Sequence, residues 1–290
     1  MQLGKIGVWA STEGLSASAA AAFAQRVERW GYSALWIPEA VGRNSLVHVS
    51  WLLANTSKLI LATGIANIYA RDAQAMRAAQ LTLSEQSGGR FLLGMGVSHA
   101  PLVEQARGHV YGKPVATMSL YLEAMARAHY VAPQPAQAPL TVLAALGPKM
   151  LELAAARADG AHPYNVTPQH TAQARAVLGA GKLLCPEQKV LLESDPATAR
   201  RVARDYLARY LALPNYCNNL LRLGFTNEDF ANGGSDRLID ALVVWGDETR
   251  IRARLQEHWD AGADHVCVNT LHPQGLDVPD ERVLELLAPA

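Results

Sequence analysis

The chain has 290 residues, half of them apolar, which is enough to bury the core of one large domain or of two smaller ones. Its 26 basic residues balance its 26 acidic residues and neither sign forms a long run, so composition gives no support for binding to nucleic acid or to an acidic membrane surface. Three widely separated cysteines fit neither a disulfide framework nor a CxxC metal site and favour a reducing, cytoplasmic compartment. No apolar stretch reaches membrane-spanning length and no signal peptide pattern opens the sequence, so we expect a soluble, unprocessed protein.

Short apolar runs alternate with alanine-rich amphipathic segments along the whole chain, which is the pattern of a parallel sheet with crossover helices. The predicted strands are residues 5–9, 34–37, 59–65, 91–96, 140–144, 160–163, 189–192 and 265–269. Eight strands separated by helices predict an α/β protein with a (β/α)8 TIM barrel that occupies residues 1–290 as a single domain.

Three of the connecting segments have clear helix signals. Apolar residues fall at helical spacing over residues 23–30, and Gly31 follows where a left-handed helix end needs glycine. Asp72 can cap the N-terminus of the helix that precedes the fourth predicted strand. Residues 251–259 share an apolar face before the last strand, so the alternation of helix and strand holds to the end of the chain.

Two segments are longer than an ordinary barrel connection. Residues 98–119 contain two glycines and two prolines and predict a loop, suited to act as a lid, that leaves the rim after the fourth strand. Residues 196–249 are predicted to contain helices that cover the site or form a dimer contact. We expect substrate specificity to come from these two insertions.

Two glycine-bearing turns follow the third and fourth predicted strands, at residues 64–67 and 94–99. In a barrel of parallel strands the carboxyl ends form the active-site rim, so the two turns should lie side by side on the functional face. A glycine at a strand end permits close approach of a flat ligand or an unusual peptide geometry. An ordinary turn from strand to loop is the alternative.

Gly147, Pro148, Lys149 and Met150 follow the fifth predicted strand and open an alanine-rich helix. Proline suits the first helical position, and the backbone N–H groups of Lys149 and Met150 should point outward with the positive end of the helix dipole. This arrangement predicts an anion site, most naturally for phosphate, although Gly-Pro would also serve simply to start a helix.

Two rim residues are candidates for proton transfer. Glu39 ends the second strand and can act as a general acid or base if partial burial raises its pKa, or it is a solvated loop acid. His99, after the fourth strand, can donate to a bound ring or shuttle a proton, and His162 is a weaker candidate. We interpret Arg71 as a surface or phosphate-side charge. The other histidines lack metal-ligand spacing, so no metal is predicted.

Several common catalytic patterns are missing from the sequence. It contains no GxSxG elbow, no P-loop and no GxGxxG that opens a helix. Gly94-Met95-Gly96 lacks both the third glycine and the helix start of a dinucleotide fingerprint, which argues against nicotinamide binding of the Rossmann type.

With these residues placed, the chain resembles the bacterial luciferase-like monooxygenase family, and most closely its actinobacterial branch assigned to the deazaflavin coenzyme F420. The motifs that carry the resemblance are Trp36-Ile37-Pro38-Glu39, Ala62-Thr63-Gly64-Ile65-Ala66-Asn67, residues 87–94, Gly147-Pro148-Lys149-Met150 and residues 261–266. Together they cover nearly the whole chain. The resemblance implies an eight-fold barrel, usually a homodimer, that binds a flavin or deazaflavin at its carboxyl rim.

The resemblance also implies roles for individual residues. The third-strand turn would support the tricyclic ring, often through a cis non-prolyl peptide, which would be Gly64–Ile65 here. The fourth-strand turn and the helix start at Gly147 would bind the ribityl chain and the phosphate. The cofactor-binding residues predicted in this way are Trp9, Gly64, Ile65, Ala66, Asn67, Gly96, Val97, Ser98, Gly147, Pro148, Lys149 and Met150.

The sequence departs from the family pattern after the second strand, where several deazaflavin enzymes carry an acid followed by a histidine. Here Ala40 follows Glu39, so the catalytic proton transfer is assigned jointly to Glu39 and His99. The predicted activity is hydride transfer between F420 and a small organic substrate. An FMN-dependent monooxygenase that uses oxygen, and a barrel that binds a flavin or deazaflavin without turnover, are the alternatives.

The choice between F420 and FMN rests on weak evidence in the sequence, because both cofactors have a tricyclic ring, a ribityl chain and a phosphate. F420 adds an acidic oligoglutamate tail. The basic residues that could meet this tail are Arg43, Arg71, Arg107 and Lys113, which are scattered along the chain.

Overall fold

Parallel strands and helices alternate along the chain in a computed structural model that describes residues 1–276 and 278–289. The strands are β1 (Ile6–Trp9), β2 (Ala34–Ile37), β3 (Ile60–Thr63), β4 (Ala66–Asn67), β5 (Phe91–Gly96), β6 (Thr141–Leu143), β7 (Gly160–Ala161), β8 (Leu183–Leu184), β9 (Glu187–Leu191), β10 (Val243–Trp245) and β11 (Val266–Thr270). The helices are α1 (Ala17–Arg29), α2 (Ser45–Ala54), α3 (Ala73–Gln86), α4 (Pro114–Ala126), α5 (Pro148–Arg157), α6 (Pro168–Leu178), α7 (Pro196–Leu211), α8 (Pro214–Arg222), α9 (Asp236–Leu242), α10 (Glu248–Asp260) and α11 (Glu281–Leu286).

The strands form a parallel sheet that curls into a barrel. Along the sheet the order is β10-β9-β11-β1-β2-β3-β5-β6-β7-β8, with β4 paired to β5. The two ends meet because β8 and β9 are successive parts of one stretch of chain: Cys185 N–H donates to Ala161 O at 2.9 Å, and Pro186 O accepts from Cys267 N–H at 2.9 Å. This closure confirms the predicted (β/α)8 barrel, with β3 and β4 sharing one barrel position and β8 and β9 another.

One predicted strand is shifted, and some short strands were not predicted. The strand predicted at residues 189–192 lies at Glu187–Leu191, because the polar residues Glu187 and Gln188 also belong to β9. β8 and β10 were not predicted. They are two and three residues long, too short for periodicity to detect, and β10 pairs with β9.

Alternation along the strands separates the barrel interior from the helical layer. In β2, Ala34 and Trp36 point into the barrel and pack with Trp9 and Cys267, whereas Leu35 and Ile37 belong to the core between strands and helices. Trp36 is completely buried and fills much of the interior. The barrel is therefore a packed scaffold, and space for a ligand lies beyond the strand ends.

The predicted helices are confirmed as α1, α3 and α10. α1 ends at its cap residue Trp30, and Gly31 follows with a φ of 85°. The side chain of Asp72 accepts from Ala75 N–H at 2.8 Å, as a helix cap should. α10 ends before Gly262, whose φ is 97°.

The two insertions both carry helices. In residues 98–119 a π-helical turn (Leu102–Ala106) precedes α4. Residues 196–249 hold α7, α8 and α9, a 3₁₀ segment (Asn227–Gly233) and β10, and they have an apolar cluster of their own. The helices predicted for this second insertion are confirmed. Among the described residues, no helix is both long and apolar enough to cross a membrane.

Candidate active site

A cavity of about 620 Å³ lies beyond the carboxyl ends of the barrel strands and is covered by α7 and α8. Its wall includes most of the residues predicted for the site. These are Trp9, Glu39, Gly64, Ile65, Val97, Ser98, His99, Gly147, Pro148, Lys149 and Met150. The barrel thus brings together side chains from the ends of β1, β2, β3, β5 and β6.

The turn between β3 and β4 forms one wall of this cavity. The Gly64–Ile65 peptide is cis, as the resemblance predicted. Trp9 Nε1 donates to Gly64 O at 2.9 Å. A Cβ on Gly64 would lie 3.0 Å from both Trp9 Nε1 and His162 Nε2, so a side chain there would intrude on its neighbours. Glycine therefore keeps this wall flat.

Three predicted cofactor-binding residues lie behind this wall and not on the cavity surface. Ala66 and Asn67 are fully buried, and Asn67 Oδ1 accepts from the N–H of Tyr69. A Cβ on Gly96 would lie 3.0 Å from side-chain atoms of Ile65 and Ala144. These residues shape and support the wall, so any contact with a ligand would be made through their neighbours.

Another part of the cavity wall is formed by the N-terminus of α5. Gly147 is its cap residue, without a side chain to satisfy the first N–H groups, and Pro148 occupies the first helical position. Met150 N–H donates to Gly147 O at 3.1 Å, so the expectation that it points outward is wrong. Lys149 N–H has no acceptor within its own helix. Arg222 of α8 faces the same point, its Nη2 3.3 Å from a Cβ built on Gly147.

Glu39 forms a buried ion pair with Arg71 of the next rim turn. Both carboxylate oxygens accept from the Arg71 guanidinium, and Oε2 also accepts from Asn67 N–H at 2.8 Å. The side chains are only 3% and 9% exposed. Burial acts to raise the pKa of Glu39, but the bonds from Arg71 and Asn67 outweigh it and hold the pKa below its usual value.

Glu39 was expected to act as a general acid only if burial raised its pKa, and in this geometry its pKa is lowered. The carboxylate stays ionised and fixes the turn that follows the Gly64–Ile65 peptide. Arg71 is correspondingly not a surface or phosphate-side charge, because its guanidinium is buried against Glu39.

His99 lies on the cavity wall beside α8. Its ring is 5.6 Å from that of Tyr216, and burial lowers its pKa below the ordinary value of 6.5, while Asn215 acts in the opposite direction. The imidazole is therefore neutral near pH 7 and can accept a proton. Next to it, Ser98 has a positive φ of 57°, and its carbonyl accepts from the Tyr111 hydroxyl at 3.1 Å.

His162, after β7, lies at the floor of the cavity. Its Nδ1 is 2.7 Å from Cys185 O, and since a carbonyl only accepts, Nδ1 carries the proton. The ring stacks on Trp36, with centroids 4.3 Å apart, and burial lowers its pKa to about 4. Nε2 is buried without a hydrogen-bond partner among the described residues. It is thus a neutral acceptor that faces the Gly64 turn.

Several residues of the site were missed by sequence reasoning. They come from the segment after β7 and from both insertions: Leu102, Tyr111, Pro114, Val115, Tyr164, Tyr210, Asn215, Tyr216 and Arg222. Helices were predicted for the second insertion, but no spacing in the sequence relates these residues to the rim turns. Across the described part of the chain, no group of three or more His, Cys, Asp or Glu residues is arranged to hold a metal ion.

Comparisons with known proteins agree with this geometry. The model of the family described as luciferase-like monooxygenase matches residues 1–265. A Mycobacterium tuberculosis protein named as a coenzyme F420-dependent oxidoreductase is 25% identical over 83% of this chain and 87% of its own length.

Solved structures share the fold at low sequence identity. An F420-dependent secondary alcohol dehydrogenase in complex with an F420-acetone adduct superposes with a TM-score of 0.79 at 14% identity, over 99% of this chain and 97% of that one. The oxygenating constituent of 3,6-diketocamphane monooxygenase from Pseudomonas putida, in complex with FMN, gives 0.74 at 13% identity, over 98% and 96%. These likenesses establish the barrel architecture.

Proposed function

The chain belongs to the luciferase-like monooxygenase family, and we propose that within it the protein is an oxidoreductase that uses coenzyme F420. The observation that carries the assignment to a cofactor with a ring and a phosphate is the lining of the 620 Å³ cavity, which includes the Gly64–Ile65 turn and the N-terminus of α5. FMN shares both groups with F420. The choice of F420 therefore rests on the F420-dependent name of the M. tuberculosis relative.

The cavity fits the parts of this cofactor. Gly64, Ile65 and Trp9 would support the tricyclic ring. Val97 and Ser98 would lie along the ribityl chain. The residues that would hold the phosphate are the first residues of α5, Gly147 to Met150, with Lys149 N–H and the Arg222 guanidinium as donors.

When bound, F420 supplies a carbon centre that gives or takes a hydride, so that two electrons pass between it and the substrate. We assign the accompanying proton to His99, whose neutral imidazole nitrogen can take it from an alcohol oxygen or return it in the reverse direction. Glu39, held ionised by Arg71, positions the rim turn in this proposal.

Titration of the purified protein with F420 and, separately, with FMN tests the proposal, with cofactor fluorescence as the readout. Binding of F420 at least tenfold tighter than FMN is expected. Gly64→Ala should weaken F420 binding by about tenfold or more, because its Cβ would lie 3.0 Å from Trp9 and His162. The control is Gly88→Ala, which lies outside the cavity and whose Cβ would meet nothing within 4 Å; because its φ is 63°, alanine there should lower stability and leave F420 affinity unchanged.

Each other outcome has a clear meaning. Preference for FMN would point to the oxygen-using monooxygenase, and failure of both cofactors to bind would overturn both assignments. F420 binding without turnover of any alcohol, carbonyl or unsaturated acceptor would favour a protein that binds the cofactor without catalysis.

We also propose that the protein is a homodimer, as the family resemblance implies. Light scattering coupled to size-exclusion chromatography should give twice the chain mass of 31.2 kDa. A mass of one chain at micromolar concentration would contradict this proposal.

A further inference from the structure

A second cavity, of about 470 Å³, adjoins the first. The two share Trp9, Pro38, Ala40 and Tyr210 as common walls. On its other sides the second cavity is bounded by Ser11, Asn269, Leu271 and His272 from the barrel and by Tyr206 and Arg209 from α7. Neither Gly147 nor Arg222 reaches it, so it lies away from the end proposed for the phosphate.

Arg209, an exposed residue of α7, lies against two aromatic rings at this cavity. Its guanidinium carbon lies 4.5 Å from the centroid of Tyr206 and 5.1 Å from that of Tyr210, and both rings line the cavity. No carboxylate of the described residues lies within ion-pair distance of it. Asp205, on the cavity rim, is 72% exposed and pairs with Arg201 at 3.6 Å. The cavity therefore presents a guanidinium that forms no ion pair with a carboxylate of the described residues, although Asp205 also lines it.

The tyrosines themselves leave a spare hydrogen-bond donor. The Tyr164 hydroxyl lies 3.1 Å from that of Tyr206 and 3.0 Å from that of Tyr210. The three hydroxyl groups carry three protons, but each of the two oxygen–oxygen contacts uses only one of them. One proton is therefore left without an acceptor inside the cluster in every arrangement. Asn269 Nδ2 also donates toward Tyr206 and Tyr164, at 3.2 and 3.4 Å. Because the Tyr164 oxygen already accepts from Asn269, we expect the Tyr164 hydroxyl to donate its own proton to Tyr206 or Tyr210. The proton without an acceptor then belongs to Tyr206 or Tyr210, and both of these residues line the second cavity.

A buried ion pair makes this arrangement rigid. Lys189 Nζ contacts both oxygens of Glu187, at 2.8 and 2.9 Å, and lies 4.0 Å from the Tyr164 ring centroid. Because the Lys189 charge is neutralised by Glu187, the cation offered to a ligand is that of Arg209. A guanidinium and a hydroxyl proton, both donors, face a space bounded by aromatic rings.

We propose that the second cavity binds the substrate, and that the substrate is a small organic anion whose oxyanion group pairs with Arg209. This inference rests on the proposed function, since it gives the first cavity to the cofactor. Because His99 lines only the first cavity, the reacting end of the substrate would extend past the shared walls Trp9 and Tyr210 and lie against the cofactor ring in that cavity. The glutamate tail of F420 also carries carboxylate groups that could pair with Arg209. The experiment below therefore distinguishes binding of the substrate from binding of the F420 tail.

Matched pairs of probes that differ in charge test the inference: benzoate against benzamide and acetate against acetamide. Calorimetric titration, with and without saturating F420, should show each acid binding at least tenfold tighter than its amide. Arg209→Gln should reduce benzoate affinity by about 10- to 100-fold and leave benzamide nearly unchanged, the size expected for a hydrogen bond between charged groups. Arg209→Lys should keep part of the preference.

Arg250→Gln is the matched control, because Arg250 also stacks on an aromatic ring, 4.1 Å from Trp245, but lines neither cavity. F420 affinity should change less than twofold in Arg209→Gln. Equal affinity for acid and amide in both pairs would overturn the inference, as would loss of F420 affinity in Arg209→Gln, which would assign Arg209 to the cofactor tail. Discrimination of the probes by a protein that binds no F420 would overturn the proposed function and leave the anion site standing.

Discussion

The two halves of the barrel contribute different chemical groups to the site. The half from β1 to β6 supplies glycines, backbone groups and the turn at Gly64, which together form a flat wall and a helix N-terminus. The half from β7 onward supplies Tyr164 and, through α7 and α8, further aromatic rings and two arginines. The wall proposed for the cofactor is thus built by local turns, and the wall proposed for the substrate largely by side chains on inserted helices.

Each half contains a buried ion pair, and the side chains of the two pairs differ in how much of their surface is exposed. Glu187 and Lys189 are 1% and 0% exposed and lie behind the tyrosine cluster. Glu39 and Arg71 are 3% and 9% exposed and hold the turns of the cofactor wall. The difference predicts that the second half depends more on its pair for stability than the first half does.

The largest effect is expected at His99, the first-half residue to which we assign proton transfer. His99→Gln should lower kcat by about 10²- to 10⁴-fold, the usual contribution of a general base, with F420 affinity little changed. Because burial lowers the pKa of His99, kcat/KM for an alcohol should stay constant above pH 6.5 and fall as the pH drops through the lowered pKa. Steady-state rates across pH would measure both effects.

His129→Gln provides the control, since His129 is exposed and lies outside the cavity. Unchanged turnover in His99→Gln would move proton transfer to the other half of the barrel, where Tyr210 lines both cavities.

The second effect concerns the deeper ion pair. Lys189→Met should reduce the free energy of unfolding by about 3–5 kcal/mol, because it leaves the Glu187 carboxylate buried without its cation. Urea unfolding followed by circular dichroism measures the loss. Adding Glu187→Gln to the same chain should restore part of it, since the amide oxygen can still accept from Asn269. Equal stability of Lys189→Met and the unaltered protein would mean that the second half does not depend on this pair.

A smaller effect is expected from the shallower pair. Glu39→Ala should cost about 2 kcal/mol, below the value for a fully buried pair because Arg71 keeps some contact with water. The lowered pKa of Glu39 means that its contribution is present above the unfolded pKa near 4.5 and is lost as pH falls through the folded pKa. The stability difference between the two proteins should therefore shrink in acid. A difference that is constant from pH 7 to pH 3 would argue against an ionised Glu39.

The first half of the barrel is also the half that sequence reasoning described better. The turn at Gly64, the cap at Asp72 and the helix start at Gly147 each depend on residues next to one another in the chain, so their chemistry can be identified without a structure. The cis peptide at Gly64–Ile65 came from the family resemblance and is present.

Contacts between distant segments could not be predicted in this way. Glu39 and Arg71 are 32 positions apart, and nothing in either motif indicates that they pair. Glu187 and Gln188 are polar, so the sequence pattern placed the start of β9 at Lys189, two residues too late. The rings of α7 depend on how an insertion folds over the rim, which periodicity does not determine.

The smallest effect is expected where the two halves meet, at Gly147 and Arg222. Gly147→Ala would place a Cβ 3.3 Å from Arg222 Nη2, tight enough to displace the guanidinium slightly without destroying the helix start. F420 affinity should fall by about two- to fivefold, which is below 1.4 kcal/mol. A deazaflavin that lacks the phosphate should bind both proteins equally, because the displaced donor would have no phosphate to contact. Equal loss for both ligands would instead mean that the added methyl group disturbs the ring wall, and that the first half alone determines cofactor affinity.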